Sequence, residues 1–186
     1  TVTRTGPQEF LVVSSAATTE RDQDHIRRNM PAGARAEVVD VTSSMAVFGV
    51  MGPRSRDLLE TLSDADLSDD GFPFATSRQI ALGYATARAT RITYVGELGW
   101  ELYVPAEFAV GVYEDLMAAG ARFGIARGGY YAIDSLRTTA IRSLAPHFEH
   151  KLFLTATPHN GYAESFSALL ELLDNQRFAR GIAPDH

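Results

Sequence analysis

Residues 79–104 read QIALGYATARATRITYVGELGWELYV, and the spacing inside this stretch decides the fold. Residues 79–82 form a short β-like run, and residues 86–95 a longer alternating one with Arg88 and Arg91 expected to face outward. Gly96 and Gly99 punctuate the pattern before residues 100–104 resume as strand and Pro105 ends it. Runs this alternating and this closely spaced leave no room for the crossover helices that a parallel sheet requires. An antiparallel sheet is therefore predicted.

The flanks complete the pattern. Residues 2–5 (VTRT) and 9–14 (EFLVVS) read as two strands around a Gly6-Pro7 turn. In TTERDQDHIRRNM, Thr18 or Thr19 is expected to cap a helix that Pro31 ends, with acidic residues in its first turn and Arg27 and Arg28 in its last. Residues 37–42 (EVVDVT) and 45–50 (MAVFGV) are strand-like, and PRSRDLLETL is predicted to be helical with Pro53 in its first position. AEFAVGVYEDLMAAG places Phe108, Val112 and Leu116 at helical spacing before Gly120 and Gly124. Further on, residues 130–144 look helical, 152–157 (LFLTAT) strand-like and 164–173 (ESFSALLELL) helical. The order predicts an α+β fold: an antiparallel sheet with helices packed on one face.

Composition narrows the function. The chain has 186 residues, 45% apolar and 22% charged, enough for one packed domain or one domain and a fragment of another. No run approaches the eighteen or so apolar residues of a spanning helix. The opening TVTRTGPQEF does not read as a signal peptide, and the cytosol is the default expectation. With no cysteine there is no disulfide, thiolate nucleophile or thiolate-bound metal. A net charge of −6 argues against a nucleic-acid partner. His147, His150, His159 and His186 crowd the last forty residues, but their spacing fits no metal motif, so no metal is expected.

The most pointed chemistry sits at 91–103, RITYVGELGWELY. Two glycines bracket Glu97, so backbone can approach a flat ligand closely there. A partly buried glutamate needs paired donors, and a heterocycle with a ring N–H beside an exocyclic amine supplies them. The alternative is that Glu97 and Glu101 are both surface residues flanking a bulge. Spacing alone does not say whether they share a face.

This stretch, together with 48–56 (FGVMGPRSR) and 132–137 (AIDSLR), resembles the glycine-cleavage T-protein (aminomethyltransferase) family, in particular the tetrahydrofolate-binding half of dimethylglycine and sarcosine dehydrogenases. The resemblance covers about residues 1–137. It implies a partial domain that holds tetrahydrofolate and receives a one-carbon unit from an iminium made in a separate flavin (FAD) domain. Glu101 corresponds by motif position to the pterin-anchoring glutamate, and Tyr94 to a tyrosine lining the same pocket. Glu97 falls in the motif as a turn residue. Phe72 and Phe74 are candidates for an apolar wall or for core, and Arg137 for a residue near the pocket. Trp100, alternating with Glu101, is expected to point into the core. The family's catalytic aspartate lies just upstream of a TVTR-like strand, and no residue here is an evident replacement, so no catalytic residue is assigned.

Beyond Arg137 the sequence resembles something else. LFLTATPHNG at 152–161 is similar to the motif III neighbourhood of Swi/Snf-type superfamily-two helicase-like ATPases, over about residues 138–180. No GxxxxGK[ST] loop or DExH box accompanies it, so ATP hydrolysis is not expected. Residues 138–186 are read as a fused helicase-like fragment. A DNA-dependent ATPase fragment and a non-functional chimera are the competing readings.

Overall fold

A computed structural model describes residues 1–94 and 96–129. The expected elements at 130–144, 152–157 and 164–173, Arg137, the four C-terminal histidines and the helicase-like segment lie outside the described residues. The chain divides into two compact units, Thr1–Ile92 with Leu98–Ile125, and Thr93–Glu97 with Ala126–His186.

The first unit is α+β. Strands β1 (Val2–Gly6) and β2 (Glu9–Val12) form an antiparallel hairpin, with Val2 opposite Val12. Helix α1 (Thr19–Arg28) follows, carrying Glu20 and Asp22 in its first turn and Arg27 and Arg28 in its last, as its dipole favours. Thr18 occupies the cap position, but its hydroxyl donates to Asp22 Oδ2 at 2.6 Å instead of accepting a backbone N–H.

The second sheet has four antiparallel strands in the order β3 (Met45–Met51), β6 (Gly99–Pro105), β5 (Ala85–Thr90), β4 (Ser77–Leu82). Its alternation decides what is buried. Trp100, Leu102 and Val104 of β6 are fully buried on one face, together with Ala85, Ala87 and Ala89 of β5 and Ile80 and Leu82 of β4. Against them pack Leu58 and Leu59 of α2 (Ser55–Leu59) and Val112 and Leu116 of α3 (Ala109–Gly120). The helices of this layer thus cover one face, as the sequence predicts. No helix among the described residues is long and apolar enough to cross a membrane.

Three expectations need correction. Residues 37–41 are irregular and 42–44 form a single 3-10 turn; Val39 and Val41 are exposed, and β-propensity without a partner strand makes no ladder. Helix α2 begins at Ser55, not at Pro53, because Gly52 (φ 130°) and Pro53 are spent on a turn in which the Ser55 N–H donates to the Gly52 carbonyl at 3.0 Å. Strand β5 stops at Thr90 rather than running to residue 95, and Arg91 does not face outward. Its guanidinium donates to the Phe72 carbonyl at 2.7 Å and to Asp69 Oδ1 at 2.6 Å, and lies 5.7 Å from the Trp100 ring.

Three arginines hold the turn-rich connection between α2 and β4. Arg56 donates to the Leu67 carbonyl at 2.9 Å and to Asp69 at 2.5 Å. Arg78 bonds the carbonyls of Gly71 and Asp66 and stacks 4.2 Å over Phe72, which is fully buried with its edge toward Trp100. Phe72 is therefore core. The hydrogen bond from Arg91, then that from Arg56, holds the Asp69 carboxyl below its ordinary value, and the bond to Ser68 does the same for Asp66. A carboxyl depressed on folding adds stability that is present above its unfolded value and is lost as pH falls through the folded one. Thermal stability should accordingly decline as pH drops below about 4, the ordinary aspartate range. Asp69→Asn should flatten that decline; an acid limb identical to wild type in scanning calorimetry would show that the knot carries none of it.

Candidate functional site

The face of the four-stranded sheet away from α2 and α3 is apolar at β3 and polar along β6, β5 and β4. Register aligns Gly49 of β3, Glu101 of β6, Thr90 of β5 and Ser77 of β4 in one row, and Val47, Tyr103, Arg88 and Gln79 in the next. Directly opposed residues in an antiparallel sheet share a face. Glu101 therefore stands back to back with the buried Trp100, as the alternation predicts.

Glu101 is half-buried, and its neighbours fix what it can do. On one side Gly49 contributes no side chain of its own, and the methyl end of Met51 lies over it, 3.4 Å from where a Cβ would stand. On the other, the buried Thr90 hydroxyl is spent on Ser77 Oγ at 2.9 Å, and Arg88 reaches the same Ser77 at 3.5 Å. Along its own strand, two residues on, the Tyr103 hydroxyl donates to Glu101 Oε2 at 2.5 Å. Tyr103 is 5% exposed. Burial first, then the bond to and charge of Glu101, push its phenol well above the ordinary tyrosine value, while the nearby Thr1 side chain acts in the opposite direction. The phenol consequently stays protonated and remains a donor.

The turn that feeds β6 is built by the two motifs singled out in the sequence. The Leu98 carbonyl accepts from the Gly52 N–H at 2.8 Å and from the Ser55 hydroxyl at 3.1 Å, so GPRS and GELG are stitched together at one oxygen. Gly99 is required there: a Cβ would lie 2.8 Å from Met51 Cγ and 3.0 Å from the Val50 carbonyl oxygen. This close approach of β6 to β3 sets Glu101 opposite Gly49.

The other sequence candidates are placed as follows. Tyr94, half exposed, and Glu97, exposed, share the Thr93–Glu97 loop, where Gly96 (φ 85°) donates its N–H to Thr93 Oγ1 at 3.0 Å. Phe74 is 63% exposed at the end of the connection that precedes β4. Arg137 lies outside the described residues. Among the described residues no group of three or more histidines and carboxylates is arranged to hold a metal ion. Tyr103 was not singled out as a site residue. The signal for it was present in WELY, where alternation puts the tyrosine two positions on and on the face of the glutamate.

Known proteins share this arrangement of sequence. The GCVT N-terminal domain family matches residues 1–158, through the LFLTATP stretch. A 4-methylaminobutanoate oxidase (formaldehyde-forming) of Paenarthrobacter nicotinovorans is 40% identical over 138 residues, 74% of this chain and 17% of that protein. The mitochondrial dimethylglycine dehydrogenase of Homo sapiens is 37% identical over 138 residues, 74% of this chain and 16% of that protein. This chain thus spans about a sixth of the length of either relative. Among solved structures, the heterotetrameric sarcosine oxidase from Corynebacterium sp. U-96, in complex with pyrrole 2-carboxylate, shares the fold with a TM-score of 0.53 at 23% identity, over 69% of this chain and 63% of that one. With the antiparallel sheet, the stitched glycine turns and every described residue inside the matched region, the chain belongs to the GCVT N-terminal domain family, the aminomethyltransferase-like domain found in dehydrogenases of the dimethylglycine type.

Proposed function

We propose that this chain is the tetrahydrofolate-binding portion of a one-carbon-transferring amine dehydrogenase or aminomethyltransferase, and that Glu101 recognises the pterin ring. The observation that carries this reading is the state of the Glu101 carboxylate. It is half-buried, it is held by one donor among the described residues, and its cross-strand neighbour Gly49 has no side chain of its own. A 2-amino-4-oxopteridine presents a ring N–H and an amino group side by side, and a carboxylate accepts both in one plane. From the family resemblance Tyr94 and Phe74 are carried as candidate folate contacts and Glu97 as a turn residue, each by its place in the sequence. Arg137 is carried as a pocket residue. In this reading these residues bind and orient the folate without turnover of their own; oxidation of the amine belongs to a separate flavin domain, and bound folate supplies the nitrogen that accepts the one-carbon unit.

The test is a titration of the chain with folinic acid, followed by the fluorescence of Trp100 and by competition. A 2-amino-4-oxopteridine lacking the benzoylglutamate half should displace the ligand, whereas p-aminobenzoylglutamate alone should not. Displacement by the benzoylglutamate half only would remove the role given to Glu101.

A further inference from the structure

We infer that Tyr103 is a positioning residue for Glu101: its hydroxyl fixes the carboxylate in the plane in which a flat ligand edge with two adjacent donors can be read. This rests on the folate reading above and adds to it a residue that touches no ligand.

The ring is buried and stands in register with Val47 on β3 and Arg88 on β5, with the Thr1 side chain also near its hydroxyl. The hydroxyl donates to Glu101 Oε2 at 2.5 Å, in the range of a charge-assisted O–H···O⁻ bond. A free glutamate rotates about its terminal torsion with little preference, and binding a planar ligand must freeze that rotation. A donor anchored in the sheet freezes it beforehand.

The count of acceptor positions is compatible. A carboxylate offers about four lone-pair sites, and Tyr103 occupies one on Oε2. Oε1 and the second site on Oε2 remain for the ring N–H and the amino group. Across the strand Gly49 has no side chain, and the only side-chain atom near it among the described residues is the terminal methyl of Met51, which has no hydrogen-bond donor to compete for the carboxylate. Thr90, the other neighbour, offers no competing donor because its hydroxyl is committed to Ser77.

The experiment is a double-mutant cycle on the full chain, with folinic acid as the probe and thermal melting as the control for folding. Tyr103→Phe keeps the ring and should weaken binding about tenfold, the usual effect of deleting one hydrogen bond to a charged group. In a Glu101→Ala background the same substitution should change the residual affinity by less than about twofold, since the two residues act as a unit. Equal loss in both backgrounds would overturn the inference, because a packing role does not need the carboxylate. Unchanged affinity of Tyr103→Phe, with wild type binding, would overturn it while leaving the folate reading intact. Absence of binding by wild type would overturn both. Should Tyr103→Phe fail to fold, the bond is read from the other partner: in Glu101→Gln one phenol should ionise at lower pH than in wild type by ultraviolet difference titration, and an unchanged titration would overturn the inference.

Discussion

Replacing Glu101 by glutamine should reduce affinity for folinic acid on the order of 100-fold, the loss expected when two hydrogen bonds to a charged acceptor are removed or inverted. Glutamine has nearly the shape of glutamate but carries two N–H donors where the carboxylate has only acceptors. Facing a ligand edge made of a ring N–H and an amine, it sets a donor against a donor. Glu101→Ala should lose as much by leaving both ligand donors without a partner. Neither change touches the apolar layer, because Glu101 lies on the face away from Trp100, Leu102 and Val104. The melting temperature of Glu101→Gln, which keeps an acceptor for the Tyr103 hydroxyl, should therefore stay near that of wild type while binding falls; Glu101→Ala strands that buried hydroxyl and should also lose about 1–3 kcal/mol of stability. A variant that keeps its affinity would place recognition elsewhere on the chain.

Trp100→Ala should behave in the opposite way, costing about 3–5 kcal/mol of stability, as large-to-small changes of buried aromatics do. Trp100 is the largest fully buried side chain. Its ring meets the edge of Phe72 at 6.3 Å and lies beneath the Arg91 guanidinium. Removing it opens a cavity under three features at once: the start of β6, the connection that Phe72 anchors and the arginine knot around Asp69. For a domain with stability in the ordinary range of about 5–15 kcal/mol, that is a large fraction of the total. Chemical denaturation should show the midpoint shift, and Trp100→Phe should lie between wild type and alanine. A loss below about 1 kcal/mol, typical of a surface substitution, would contradict the placement of Trp100 at the centre of the core.

The difference between these two neighbours was written in the sequence. WELYV alternates, and alternation in an antiparallel strand assigns Trp100, Leu102 and Val104 to one face and Glu101 and Tyr103 to the other. The antiparallel topology was legible for the same reason, since the runs around Gly83 and Gly99 are too close together for crossovers. What the sequence concealed depends on contacts distant along the chain. Val38, Val39 and Val41 have the composition of a strand but no strand pairs with them. Arg88 and Arg91 are three apart, so alternation puts them on opposite faces: Arg88 beside Tyr103, and Arg91 on the side of Trp100, where the carbonyl of Phe72 and the carboxylate of Asp69 accept from it. The 2.5 Å bond from Tyr103 to Glu101 needed a side-chain rotamer, which periodicity does not specify. The role of Glu101 itself came from its motif, and the sheet supplied its surroundings: a glycine under the Met51 methyl on one side and a buried donor along the strand.

The most direct test of the account is a crystal structure of the chain with folinic acid bound. The two oxygens of Glu101 should lie about 2.7–2.9 Å from the ring nitrogen and the amino nitrogen of the pterin, as charge-assisted pairs do, with the Tyr103 hydroxyl still on Oε2. A pterin seated elsewhere, with the Glu101 carboxylate facing only water, would contradict it.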